Sequence, residues 1–331
     1  MKKVFLCVFL IFGTIVGSGF SSGKEIFVFF SRFGKLSYLY IFLASLMFFL
    51  LFYLFLRKGK FVIEKLEKSK ILNLILIFIS IVFTSSMFAG LKSLFSFTGS
   101  VLYIILCAIL LVVTVLITLK GMRALEKVTA FLMPICAFIF LAVLIYISFQ
   151  KSEISMDISF PFGYFYCPLY VALNFSTSAF IVSRAGSDLT KKQTFFVSLF
   201  TSLLLFAFLT FGNFVLRNHT ESFYADMPFL YLSENNAFMF GLCYAVILVG
   251  CITTLFSLCL TLRESFKNFV KSDAVNLSLS VFLPFLISEL GFSEIVGNLY
   301  PLSSVLGVCV LLFFIFSFQR KKNFKSENRK E

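Results

Sequence analysis

Ten apolar stretches, each near the length that crosses a lipid bilayer, leave this chain of 331 residues little choice of fold. A membrane-spanning helix needs roughly 20 predominantly apolar residues. Stretches of that kind run over 4–31, 36–56, 71–91, 99–119, 128–149, 159–183, 194–216, 237–262, 274–290 and 296–318, called segments 1 to 10 below. Segment 9 is short and carries Pro284. A soluble fold would need about a quarter of its residues charged to cover its surface. Here 14% are charged and 60% hydrophobic, and the charges fall between the apolar runs. The fold class expected is all-α, a polytopic membrane protein of ten transmembrane helices. Fifty Phe and no Trp suit lipid-facing positions, and leave Tyr as the interface anchor.

The basic residues give the orientation. With the N-terminus in the cytoplasm, 23 of the 29 Lys and Arg fall on the cytoplasmic side. The other six are Lys24, Arg32, Lys35, Lys92, Lys151 and Arg217. This positive-inside bias predicts a cell inner membrane protein with both termini cytoplasmic. It also explains the formal net charge of +13 as a topology signal, so no nucleic-acid partner is expected. The Met1-Lys2-Lys3 start imitates a signal peptide, but the apolar run continues through Gly17 and Gly19 to Phe30 and reads as a retained first helix. Residues 57–70 alternate apolar and basic residues, as a short amphipathic surface helix does. Residues 217–236 form the largest outer loop, and the basic tail from 319 reads as an unstructured terminus.

Enzyme chemistry finds no support in the sequence. The single His, His219, lies in the outer loop, and no segment carries a pair of acids. The eight Cys form no CxxC pair and read as small core hydrophobes, not as a disulfide or metal framework. No cofactor is expected beyond a possible sodium ion. The partners expected are the bilayer and a small-molecule substrate, and the oligomeric state is not legible.

An odd number of segments per half inserts the two halves with opposite orientation, the arithmetic of an inverted repeat. The chain is therefore read as one transporter domain, 1–331, with a first five-helix repeat at 1–150, a second at 151–318 and a tail at 319–331.

Two polar interruptions stand at corresponding places. Segment 1 holds four Gly and three Ser within Gly13–Gly23, followed by Lys24-Glu25. A helix broken at membrane depth frees backbone groups, which is tolerated where they face a cavity or a ligand. Close packing through small residues explains the same spacing, since Gly13 and Gly17, and Gly19 and Gly23, each form GxxxG. Segment 6 runs Pro168 to Asn174-Phe175-Ser176-Thr177-Ser178 and again reads either as a discontinuous helix or as interhelical packing. Paired breaks point to a midplane site, with substrate contacts at Gly17, Ser18, Gly19 and Phe20 and at Asn174, Phe175, Ser176, Thr177 and Ser178. Glu25 is the further candidate, as a proton-coupling or amine-binding group, with Lys24 either its partner or a side chain snorkelling to water.

The segment GTIVGSGFSSGKE resembles the first-span signature of YkvI-family membrane proteins, relatives of the amino acid–polyamine–organocation superfamily with the LeuT fold. In length and span count the resemblance covers essentially the whole chain. It implies a 5+5 inverted repeat with discontinuous helices 1 and 6. It also implies a secondary carrier working by symport of a small solute, an amino acid or amine, or a receptor that kept the carrier fold. Carried onto Gly250-Cys251-Ile252-Thr253-Thr254, it implies a sodium site made by the carbonyls of Gly13, Val16 and Gly250 and the hydroxyls of Thr253 and Thr254. The chain departs from the pattern in two places. The Asn and the Arg-Phe-Pro that follow the glycines in neurotransmitter-type symporters are absent, and Lys24 stands where YkvI relatives carry a neutral amide.

Overall fold

The computed structural model describes residues 2–95, 100–151, 160 and 162–327. The expected starts of segments 4 and 6, at 99 and 159, and the tail residues 328–331 lie outside the described residues.

Among the described residues the chain is helical and holds no β-strand. Nine helical spans among the described residues are long and apolar enough to cross a membrane. Their helices are segment 2 (Ser37–Arg57), segment 3 (Lys70–Phe95), segment 4 (Ser100–Lys120), segment 5 (Met122–Ser148), segment 6 (Gly163–Ala185), segment 7 (Lys191–Asn218), segment 8 (Ala237–Phe266), segment 9 (Asp273–Ile287, which reaches crossing length with the turn Ser288–Leu290 that follows) and segment 10 (Tyr300–Glu327). Segment 1 is interrupted, and none of its pieces reaches crossing length alone. It comprises a helix over Lys2–Ile15, short turns over Ser18–Ser21 and Lys24–Ile26, and a π-helical turn over Phe27–Ser31. Large apolar side chains, such as Ile104, Val112, Phe138 and Phe316, face outward, where water would be a poor solvent for them. The molecule is an all-helical, multi-pass membrane protein.

Segments 3, 6 and 8 are the most enclosed of the nine, and segment 1 is buried almost throughout residues 10–31. The main helix pairings are 2 with 7, 3 with 8, 1 with 5, 6 with 10, 1 with 7, 6 with 2, 5 with 8, 10 with 3, 9 with 3 and 9 with 8. Segment 1 thus lies between segments 5, 6, 7 and 8 in the middle of the bundle.

One connection behaves as its sequence suggests, and a second gains structure that the sequence did not show. Residues Gly59–Lys68 form the amphipathic helix, with Val62 and Leu66 turned in. The outer loop folds into two short helices, Thr220–Tyr224 and Pro228–Leu232. The tail differs from expectation. Its backbone continues the helix of segment 10 to Glu327, because nothing in that stretch, neither Pro nor Gly, stops a helix already nucleated.

Candidate functional site

The break in segment 1 is real. The helix that begins at Lys2 ends at Ile15, Gly17 takes an extended backbone, and a new turn starts at Ser18. Its backbone groups find partners on neighbouring segments. The Thr254 hydroxyl donates to the Gly13 carbonyl at 2.9 Å, and the Ser18 N–H points at the Met87 sulfur, 3.3 Å away. Glycines on the facing helices permit this. A Cβ on Gly250 would stand 3.1 Å from the Val16 carbonyl, and one on Gly90 would meet the Ser18 side chain at 2.7 Å. A second break follows at Gly23, whose φ of +87° lies in the left-handed region that favours glycine.

That second break aims Glu25 inward. The carboxyl folds back against Gly19, where a Cβ would collide with it. Glu25 is fully buried, and neither carboxyl oxygen has a hydrogen-bond partner. Asn174 of segment 6 lies against it. Its amide nitrogen donates to the Tyr170 carbonyl at 3.2 Å, which leaves Oδ1 without a partner. Tyr170, one turn earlier, and Tyr300 at the start of segment 10 complete the electrostatic surroundings of Glu25. The Tyr170 hydroxyl is unpaired, whereas the Tyr300 hydroxyl bonds to Ser86 of segment 3. A carboxyl, an amide oxygen and a phenol therefore stand unsatisfied in one apolar interior. Buried polar groups are normally paired, and such exceptions mark places where a proton, water or ligand completes the set. Two π-helical turns flank the cluster, Phe27–Ser31 just after Glu25 and Ile295–Leu299 just before Tyr300. Such turns are rare in helices and frequent at functional sites.

Lys24 and Glu25 do not pair. The Lys24 ammonium donates to the Ala225 carbonyl in the outer loop, 2.8 Å away, so its charge serves the loop and leaves Glu25 uncompensated. The same loop closes the outer side. The Phe229 N–H donates to the Ser22 carbonyl at 2.9 Å, and the Phe229 ring sits fully buried over Gly23 and beside Phe140. His219 anchors the loop, with Nδ1 at 3.0 Å from Glu221 and Nε2 at 3.2 Å from the Ile147 carbonyl at the end of segment 5.

Segment 6 corrects the sequence reading, for it is one continuous helix from Gly163 to Ala185 and not a discontinuous one. Its polar side chains bond back to carbonyls of their own helix, which satisfies them without a break. Thr177 donates to Asn174 O at 2.9 Å and Ser178 to Asn174 O at 2.8 Å. Ser176 reaches instead to the Gly307 carbonyl of segment 10, and the Phe175 ring packs against Phe55 of segment 2. Of the five residues named on segment 6, Asn174 alone is brought to Glu25.

The oxygens proposed for sodium are partly assembled. The Gly13 and Val16 carbonyls and the Thr254 hydroxyl lie where segment 8 crosses the break, whereas the Gly250 carbonyl accepts from the Thr253 hydroxyl of its own helix at 3.2 Å. The Thr253 hydroxyl bonds within its own helix, to Val249 O at 2.9 Å, and faces Met133 of segment 5. Tyr170, Tyr300, Ser86 and Met87 escaped the sequence reading. For Tyr170 the available signal was a tyrosine in mid-segment, since Tyr ordinarily sits at the membrane interface.

No family model matches the chain, and no curated protein matches it.

Proposed function

We propose that this protein is a secondary active transporter that moves a small amine-bearing solute, an amino acid or an amine, across the inner membrane by alternating access. The observation that carries the proposal is the unpaired, fully buried Glu25 held at the break of segment 1 beside Asn174 and Tyr170. An ionised carboxylate in such a place needs a cation beside it. A cargo ammonium or a transported proton meets that need, and intramembrane acids commonly mark such pathways.

The helix pairings support the 5+5 reading. Exchanging each segment n for n+5 turns 1 with 5 into 6 with 10, 1 with 7 into 6 with 2, and 5 with 8 into 10 with 3, all of them observed pairings. The pairings 2 with 7 and 3 with 8 map onto themselves. This is the contact pattern of two halves related by a pseudo-two-fold axis. The break of segment 1 then belongs to a half that moves, and the continuous segment 6 leaves the symmetry incomplete at the site itself. Both termini lie in the cytoplasm on the distribution of Lys and Arg. The coupling ion is a proton carried by Glu25, or sodium held by Gly13, Val16, Gly250 and Thr254.

Thermal unfolding of the purified protein tests the binding half of the proposal. A panel of amino acids and amines is screened in sodium and in choline buffer, since a ligand of the native state raises the midpoint by mass action. At least one amine-bearing compound is expected to raise it. A sodium-dependent rise lost in Thr254→Ala identifies sodium as the coupling ion. A panel without any response, in either buffer, contradicts the proposal.

A further inference from the structure

A cavity of about 690 Å³, lined by none of the residues around Glu25, opens among basic residues at the ends of segments 2 and 6. We infer that it binds a phosphate-bearing anion. The end of segment 2, the start of the helix Gly59–Lys68, the turn after segment 6 and the first turn of segment 7 form its walls. Arg57, Lys58, Lys60 and Lys191 line it, and among the described residues its lining includes no carboxylate. The nearest acid in the chain, Asp188, follows the lining residue Ser187 without lining the cavity itself. Arg57, Lys60 and Lys191 are exposed.

The walls are rigid. Gly59 lies so close to the Ser183 carbonyl, and Gly186 to the Leu56 carbonyl, that a Cβ at either would collide with backbone. The two glycines lock segment 2 and the amphipathic helix onto the end of segment 6. Segment 7, a helix of 28 residues whose N-terminus is closed by a capping box of Thr190 and Gln193, lends the cavity its first residue, Lys191, and Thr194. A helix N-terminus adds partial positive charge to that of the four side chains. The floor is apolar. Phe318 is nearly buried, takes the Lys58 ammonium over its ring at 4.2 Å, and stacks near Phe55 and Phe61. Leu56 and Leu189 complete that surface.

A basic rim over an apolar floor, at the expected depth of the lipid headgroups, fits the phosphate and upper chain of an anionic phospholipid, and the rim alone fits a soluble phosphate ester. The volume lies within the range of small-ligand pockets. This inference does not depend on the carrier reading, because none of its residues lies at Glu25.

The test is a titration of the full-length protein in detergent with phosphatidylglycerol, phosphatidylcholine and glycerol 1-phosphate, read by native mass spectrometry. Phosphatidylglycerol is expected to bind the protein more tightly than phosphatidylcholine. Lys60→Gln with Lys191→Gln should weaken it about thirtyfold, at roughly fivefold per basic residue removed. Lys127→Gln with Lys271→Gln, exposed lysines outside the cavity, should leave it unchanged. Glycerol 1-phosphate matching phosphatidylglycerol, with the same loss in the cavity variant, assigns the site to a soluble ester. Weaker glycerol 1-phosphate assigns it to lipid. Equal binding of phosphatidylcholine, or equal effects of the two double variants, overturns the inference.

Discussion

Glu25 sits where a charge is costly, so its replacement separates structural from functional roles. Among the described residues the carboxyl has no ion-pair partner, and the only polar side chain set against it is the Asn174 amide, one of whose two N–H donors goes to the Tyr170 carbonyl. Glu25→Gln keeps the shape and removes the ionisable group. Removing an unpaired buried acid does not sacrifice a contact, so the unfolding midpoint should hold or rise. Affinity for an amine-bearing ligand should fall about tenfold or more, since a charge-assisted hydrogen bond of about 1.5–3 kcal/mol is lost. Parallel melting and binding measurements check both. A midpoint that collapses, with affinity retained by the remaining folded protein, would make Glu25 a packing residue. Thr253 and Thr254 show how adjacent residues of one type diverge. One turn of helix geometry gives Thr254 the Gly13 carbonyl and leaves Thr253 to its own backbone.

At the scale of elements, segment 1 depends on glycine at one backbone position above the others. Gly23 holds φ at +87° with the Phe229 ring 3.0 Å from where a Cβ would stand. Gly23→Ala should destabilise by about 1–2 kcal/mol from the left-handed backbone alone, with the crowding of Phe229 added. Denaturant unfolding measures it, and an unchanged midpoint concentration would mean that this turn relaxes freely. The nine uninterrupted segments were legible because lipid demands long apolar runs and water rejects them, and the break at Gly17 was legible because glycine and serine cluster there. Segment 6 was not legible. Its Asn, Ser and Thr carry the same polar signal, yet short hydroxyl and amide side chains can bond one turn back along their own helix, as Thr177 and Ser178 do. Sequence composition does not separate a polar cluster that breaks a helix from one that satisfies itself within it. The Tyr170 and Tyr300 contributions were hidden for another reason. Both belong to the site through segments distant in the chain, and their approach to Glu25 is tertiary information.

For the whole molecule, the outer loop and the bundle pose one question, whether the enclosed site exchanges with both sides of the membrane. In this structure the loop residues Phe229 and Ala225 bind the backbone of Ser22 and the side chain of Lys24, covering the chain just before Glu25. A carrier must release those contacts in its cycle, while a receptor with the same fold needs only to bind. The proposed 5+5 arrangement would let one half rock against the other. The most direct measurement is uptake of labelled amino acids and amines into proteoliposomes under an imposed sodium or proton gradient, for the native protein and for Glu25→Gln. The account expects gradient-driven accumulation of at least one amine-bearing compound, abolished in Glu25→Gln. A compound that binds the native protein without being accumulated, or accumulation that survives Glu25→Gln, would contradict it.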